Sequence, residues 1–372
     1  MRTSFFFLSV LLLCVAARAK NGYRPLSDNF ESGEGGRGGE ANVLLATTGM
    51  LSPPFALSVL DERTGAFGKQ LLSLSDSSQL LSLPSTLDPA KRILYVCLIN
   101  QTSSHQQKRN NNIPSETMSL VGIALPTSTS QAKIVSVDPI PHSYIFSVEF
   151  DRSSGKVFLL GTALRDAPSK EGSGIFFGSV LPGSSSSLFS TASGYTDLLE
   201  LPSGLLPIAQ GMGGTPSALD FLNGLYVSPF TKQGTSDETY FVGTIDIRSL
   251  KINTYKAPYF PISMVFGQKS RTLYALMVDS SSPGDSNTTF GTINAKTGDV
   301  SPVSHWHDSR FRFAVAGMGA LDEASGKYVS TMGTGESVQV ALVTVDISTG
   351  KIANEAPFGQ LQPTSLVFVP SF

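Results

Sequence analysis

The chain ends on "PTSLVFVPSF" (Pro363–Phe372). Chain ends are usually polar and frayed. Here Leu366, Val367, Phe368 and Val369 form a short apolar run, rich in β-formers, with nothing after it to pair with. Such a run reads as a strand. Its partner must lie earlier in the chain, and finding it decides the architecture.

Upstream the chain repeats. One phrase is an apolar strand, a turn and a second strand. It appears as "PSTLDPAKRILYV" from Pro84, "FSVEFDRSSGKVFLL" from Phe146 and "PSALDFLNGLYV" from Pro216. It returns as "ISMVFGQKSRTLYAL" from Ile262 and "GMGALDEASGKYVS" from Gly317. A second phrase follows each copy, as in "FVGTIDIRSLKI" (Phe241–Ile252), "FGTINAKTGDV" (Phe290–Val300) and "LVTVDISTGKI" (Leu342–Ile352). Short apolar runs bounded by Gly, Asp, Asn, Ser and Pro are strand signals, and no stretch carries a convincing helical period.

Each unit therefore holds about four antiparallel strands, the content of a propeller blade. One such sheet cannot cover both its faces; stacking sheets radially does so and leaves only short edges. The first second-type phrase, "ALSVLDERTGAF" (Ala56–Phe67), has only "ANVLLATT" (Ala41–Thr48) before it and lacks an inner strand. Ser365-Leu366-Val367-Phe368 is an inner strand without a blade. The two fragments complete one another. The expected fold is all-β: a single β-propeller of six blades over residues 42–372, closed by the C-terminal strand joining the N-terminal blade. Seven blades are the alternative, if Leu188–Ala209 hides a degenerate one.

The start reads as a secretory signal: Arg2, an apolar centre from Phe5 to Ala17, then Ala17-Arg18-Ala19. Cleavage is expected after Ala19, giving a signal peptide over 1–19. The apolar run is short for a bilayer span, and no later stretch is apolar for long enough to be a membrane helix. Residues 20–41 contain "ESGEGGRGGE", glycine and charge with little apolar content, and read as a flexible leader. A secreted, extracellular protein follows, taken as a monomer by default. The sequons at Asn100 and Asn287 are expected glycosylation sites in polar loops just after strands.

Formal charge is −2, or −4 once Arg2 and Arg18 leave with the signal, and no basic patch appears, so nucleic acid is not an expected partner. Cys14 belongs to the signal and Cys97 stands alone in the apolar "ILYVCLIN", so no internal disulfide is expected. A buried small side chain is the simple reading of Cys97, an intermolecular bridge the sharper one.

Five segments lead into inner strands and should build a rim at one end of the channel: "DPIPHSYIF", "AQGMGGTPS", "KAPYFPIS", "SHWHDSRFRF" and "APFGQLQPTS". His142, Tyr259, His305, Trp306, His307, Asp308 and Arg310 are the rim candidates. In an extended chain His305 and His307 share one face, and a metal there needs further ligands, with His142 the candidate from another blade. The plain reading is a solvated loop. An aromatic with polar neighbours, Trp306 with Arg310 and Arg312, also fits a glycan or an anion.

Glu149 lies in the inner-strand phrase of the third blade. In one register it takes the apolar position of Leu87, Leu219, Val265, Leu321 and Val367. In the other, Asp151 aligns with Asp88 and Phe150 takes the Leu87 position. Asp88, Asp151, Asp246 and Asp346 read as turn formers. "GMGGTPS" and "MGTGES" lack the lysine of a phosphate loop, and no G-x-S-x-G or H-E-x-x-H occurs.

The phrases "VTVDISTGKI", "FVGTIDIRSLKI" and "FDRSSGKVFLL" resemble those of the broad propeller superfamily with YVTN-type or lactonase-like repeats. The resemblance covers about Asn42–Phe372 and implies a fold. In lactonase-like enzymes acidic and amide residues around the channel hold calcium, so the resemblance implies Glu149 as a metal candidate. The leading expectation is a non-enzymatic extracellular binding or matrix scaffold protein, with an extracellular protein or a glycan as partner. A calcium-dependent lactonase-like hydrolase is the alternative, and lectin-like glycan binding a further one.

Overall fold

A computed structural model of the chain describes residues 42–371 except 49–54, 75–80, 102–115, 128–129, 141, 164–171, 184–193, 209–213, 233–239, 280–286, 308–318, 335–338 and 359–362. The expected signal and leader lie outside the described residues, as do Asp308, Arg310 and Arg312. The described residues hold strands and turns and no helix.

Six antiparallel sheets follow one another. Blade one holds β1 (Asn42–Thr48), β2 (Phe55–Leu60) and β3 (Phe67–Leu74). Blade two is β4 (Leu81–Asp88), β5 (Ile93–Gln101), β6 (Glu116–Ala124) and β7 (Lys133–Ile140). Blade three is β8 (His142–Asp151), β9 (Lys156–Ala163), β10 (Gly172–Val180) and β11 (Tyr195–Pro202). Blade four has its inner strand in two pieces, β12 (Leu205–Pro207) and β13 (Ala218–Asp220), then β14 (Leu225–Lys232), β15 (Tyr240–Asp246) and β16 (Ile252–Lys256). Blade five is β17 (Tyr259–Gly267), β18 (Thr272–Asp279), β19 (Asn287–Ile293) and β20 (Val300–His307). Blade six is β21 (Gly319–Asp322), β22 (Lys327–Thr334), β23 (Gln339–Asp346) and β24 (Ile352–Pro357). Last comes β25 (Ser365–Pro370), which pairs with β1 from Asn42↔Pro370 to Thr47↔Ser365 and gives blade one its inner strand. The blade count is six. The stretch Leu188–Ala209, which a seventh blade would have needed, supplies the outer strand of blade three and the first inner piece of blade four.

The core is divided among the blade interfaces. Six apolar clusters occur, one between each pair of neighbouring sheets. The cluster joining blades six and one contains Val329 and Leu342 from one side and Leu44 and Leu366 from the other. Cys97 is fully buried between blades two and three, where burial pushes its thiol pKa up. It is out of reach of another molecule, which leaves the small-side-chain reading.

The inner hairpins share one turn design. Asp88 Oδ1 accepts the N–H groups of Ala90 and Lys91; Asp151 accepts those of Ser153 and Ser154; Asp322 accepts those of Ala324 and Ser325. Asp220 holds Asn223 in the same way. The residue before the second strand is left-handed in all five hairpins: Gly155, Gly224 and Gly326, but Arg92 and Arg271 in blades two and five. Asp246 and Asp346 cap the turns between third and fourth strands. The repeated aspartates are thus turn formers.

Antiparallel pairing gives the ring two different ends. These capped turns lie at one of them. At the other end the second strands stop and the third strands begin, and each blade gives way to the next. No helix among the described residues is long and apolar enough to cross a membrane.

Candidate functional site: the central channel

The six inner strands enclose a channel of about 450 Å³. Its lining runs from Thr215, Thr364 and Ser365 down to the capped turns, where Pro89, Arg152, Phe221, Gln268, Lys269 and Glu323 form the mouth. Every blade contributes because every blade places its inner strand next to the axis.

Strand pairing settles the register. Phe150 pairs with Val157 and Asp151 with Lys156, as Leu87 pairs with Leu94 and Asp88 with Ile93. Asp151 thus aligns with Asp88, and Glu149 falls level with Thr86, Ala218, Val265, Ala320 and Val367. One residue nearer the mouth, Leu87, Phe150, Leu219, Phe266, Leu321 and Phe368 make an apolar collar.

Glu149 is the one acid at its level of the channel. Protein atoms cover most of its side chain, and the remainder borders the channel. Ser217, on the segment entering β13 in the next blade, donates to Glu149 Oε1 at 2.7 Å. Burial raises the carboxyl pKa to about 8, against the Ser217 hydrogen bond, which lowers it. Ser217 reaches this point because the inner strand of blade four is broken. Gly214 has φ +88°, and a Cβ there would meet the Phe146 carbonyl oxygen at 2.4 Å; Thr215 N–H donates to that same oxygen at 2.8 Å. Only glycine permits that approach. Beside Glu149, Phe150 N–H donates to Thr86 Oγ1 at 2.9 Å, tying blade three to blade two.

The mouth is aromatic as well as charged. The Arg152 guanidinium stands 6.0 Å from the Phe221 ring centroid, and Phe221 meets Phe266 edge-on with centroids 5.6 Å apart. Phe150 stacks on Tyr95 at 5.8 Å.

The donor set fits calcium poorly. Calcium takes six to eight oxygens, mostly carboxylates and carbonyls. Level with Glu149 stand one hydroxyl, from Thr86, and four apolar side chains. Of the two amides in the lining, Asn42 donates its Nδ2 to Asp322 at 2.6 Å and Gln268 stands at the mouth, away from the level of Glu149. No group of three or more His, Cys, Asp or Glu among the described residues is arranged to hold a metal.

The other sequence-derived candidates lie elsewhere. His305 and Trp306 are on β20, the outermost strand of blade five, and Tyr259 opens β17. Thr289 Oγ1 and His305 Nδ1 are 2.9 Å apart, and the Tyr259 and His305 rings lie 6.3 Å apart. Trp306 Nε1 donates to the Gly350 carbonyl of blade six at 2.9 Å and packs on the cluster between blades five and six. None of these three lines the channel. His142 opens β8 and His307 ends β20. Asn100 is next to last in β5 and Asn287 is first in β19, so the sequons sit at strand ends, bordering the connections 102–115 and 280–286. Ser217 was missed by sequence reasoning: it belongs to "AQGMGGTPS", but nothing local says that its hydroxyl meets Glu149.

No known family model matches the chain, and no curated protein does. Solved structures do. A chain of a nidogen/laminin complex superposes with a TM-score of 0.53 at 10% identity, covering 88% of this chain and 98% of its own length. A Lactobacillus plantarum protein gives 0.46 at 10% identity, covering 88% and 99%. A Bacteroides uniformis protein proposed to be a 6-phosphogluconolactonase gives 0.45 at 9% identity, covering 89% and 100%. At these identities the likeness is one of fold. The chain is a six-bladed β-propeller.

Proposed function

We propose that the protein is a secreted, glycosylated propeller that binds an extracellular protein through the end that both its sequons border, without catalysing a reaction. The observation that carries this reading is the asymmetry of the ring. One end carries the inner hairpins, whose turn N–H groups are taken up by nearby carboxylates, together with the connections between third and fourth strands, of which 181–194 in blade three is the longest. The other gathers the strand connections that vary in length from blade to blade, the part of a rigid scaffold on which recognition residues concentrate. Both sequons border connections at that end, Asn100 beside 102–115 and Asn287 beside 280–286. The fold shared with a chain of the nidogen/laminin complex supports a protein partner.

The test is expression of the full chain in a eukaryotic secretory host. Binding to immobilised extracellular-matrix proteins, laminin among them, is then measured beside hydrolysis of a lactone panel. We expect protein in the medium, smaller after glycan removal. We also expect saturable binding that weakens when 104–114 is replaced by a Gly/Ser linker, and background hydrolysis. Turnover of a lactone by the purified protein, or retention inside the cell, overturns the reading.

A further inference from the structure

The channel raises a separate question, independent of what the opposite end binds. We propose that it takes an alkylammonium group entering from the capped-turn mouth, its nitrogen on Glu149 and its apolar stem within the collar of Leu87, Phe150, Phe266 and Phe368.

Three observations meet here. First, the channel holds about 450 Å³, and Glu149 is the one carboxyl in a ring whose other members are Thr86 and four apolar side chains. Ser217 occupies Oε1; among the described residues no other side chain is seen to hydrogen-bond the carboxyl. A carboxylate in such a place calls for a donor or a cation. Second, the donor set is short of what calcium requires, whereas an ammonium needs few oxygens and gains from apolar walls around its stem. Third, the mouth is lined by the Phe221 and Phe266 rings, with Arg152 held over Phe221 and Lys269 opposed by Glu323, so an alkyl stem meets aromatic walls on entry. A neutral apolar molecule would leave Glu149 Oε2 without a partner among the described residues.

Binding carries a proton signature. Burial holds the free carboxyl largely protonated at neutral pH, so the ammonium pairs with the carboxylate and the carboxyl proton passes to the buffer. The titratable groups around Glu149 are Tyr226, hydrogen-bonded to Ser147 at 2.5 Å, and Arg152, Lys269 and Glu323, which line the same channel. Burial raises the Tyr226 pKa further, so Tyr226 stays neutral over this range.

The probe is n-pentylammonium, titrated calorimetrically into the full protein between pH 6 and 8 in two buffers of different ionisation enthalpy. n-Pentanol and calcium chloride are run alone beside it. We expect one site, tightening by up to about tenfold per pH unit below the carboxyl pKa, proton release approaching one, and no binding of pentanol. Glu149→Gln keeps an acceptor for Ser217 and should weaken binding at least about tenfold without lowering the melting temperature. Val265→Lys, which places an ammonium in the same ring, should block the probe; it serves also if Glu149→Gln fails to fold. A lysine-containing pentapeptide and its Nε-acetylated form separate the sources. Binding of the free-amine peptide alone points to a partner's side chain, and failure of both beside a bound pentylammonium points to a small amine. No probe binding, binding indifferent to pH or to Glu149→Gln, or calcium binding in place of the amine overturns the proposal.

Discussion

Glu149 works against the fold that holds it. A carboxyl whose pKa is raised on folding binds a proton more tightly in the native state than in the unfolded one. Its unfavourable effect is absent below the ordinary carboxylate pKa and grows as pH rises from there to about 8. Over that window the wild-type chain should lose stability relative to Glu149→Gln, with a slope approaching about 1.4 kcal/mol per pH unit from this one group. Chemical denaturation of both proteins at pH 5, 6.5 and 8 checks it; parallel pH profiles would mean the carboxyl is not buried as described. The residue is legible in the sequence as an acid in an inner-strand phrase. Its register was not, because Ser147 and Asp151 offered two alignments that differ by one residue, and only the pairing of β8 with β9 separates them.

At the scale of the element, the inner hairpin shows how much a local rule explains and where it stops. Asp at the strand end and a left-handed residue before the next strand recur because a tight turn leaves N–H groups that a nearby carboxylate can accept. Blade five breaks the rule, since Gly267 stands where the others have Asp. Glu323 of blade six replaces it, accepting the N–H groups of Gln268, Lys269 and Ser270 at 2.7, 2.9 and 2.8 Å. Burial opposes its charge, yet these bonds and the Ser270 hydroxyl hold the Glu323 pKa below the usual range. Glu323→Ala should therefore cost about 1–3 kcal/mol, more than an exposed glutamate would, read from the shift in urea midpoint. Gly267 and Glu323 are 56 positions apart, so the turn deficit was visible in the sequence and its remedy was not. The same holds for Trp306: a lone tryptophan in a polar segment suggested a ligand surface, and its indole meets the Gly350 carbonyl of the neighbouring blade.

For the whole molecule, closure is the decisive contact. The seam between blades six and one carries more than the apolar cluster. Asn42 donates to Asp322, Lys327 pairs with Glu62, and Asn354 donates to the Glu62 and Arg63 carbonyls. Within blade one, Thr364 N–H donates to the Thr47 carbonyl at 2.7 Å, and the Thr47 hydroxyl lies 2.8 Å from that of Ser365. Deleting residues from Gln362 onward removes β25, exposes β1 as an edge and opens both neighbouring apolar clusters. The truncated chain should aggregate or be retained inside a secretory host. If it were secreted and melted like the intact protein, the ring would not depend on this strand.

The sequence by itself determined the strands, the turns and the partner of the final strand, and narrowed the blade count to six or seven. Each of these is written in contiguous residues: alternation within a strand, Asp and Gly at a turn, one missing inner strand at the start and one spare at the end. Only the tertiary structure decided which side chains meet across blades: Ser217 on Glu149, Glu323 on the blade-five turn, Trp306 on Gly350. Those meetings depend on the angle between neighbouring sheets and on a one-residue choice of register, and neither is encoded in any local stretch of chain.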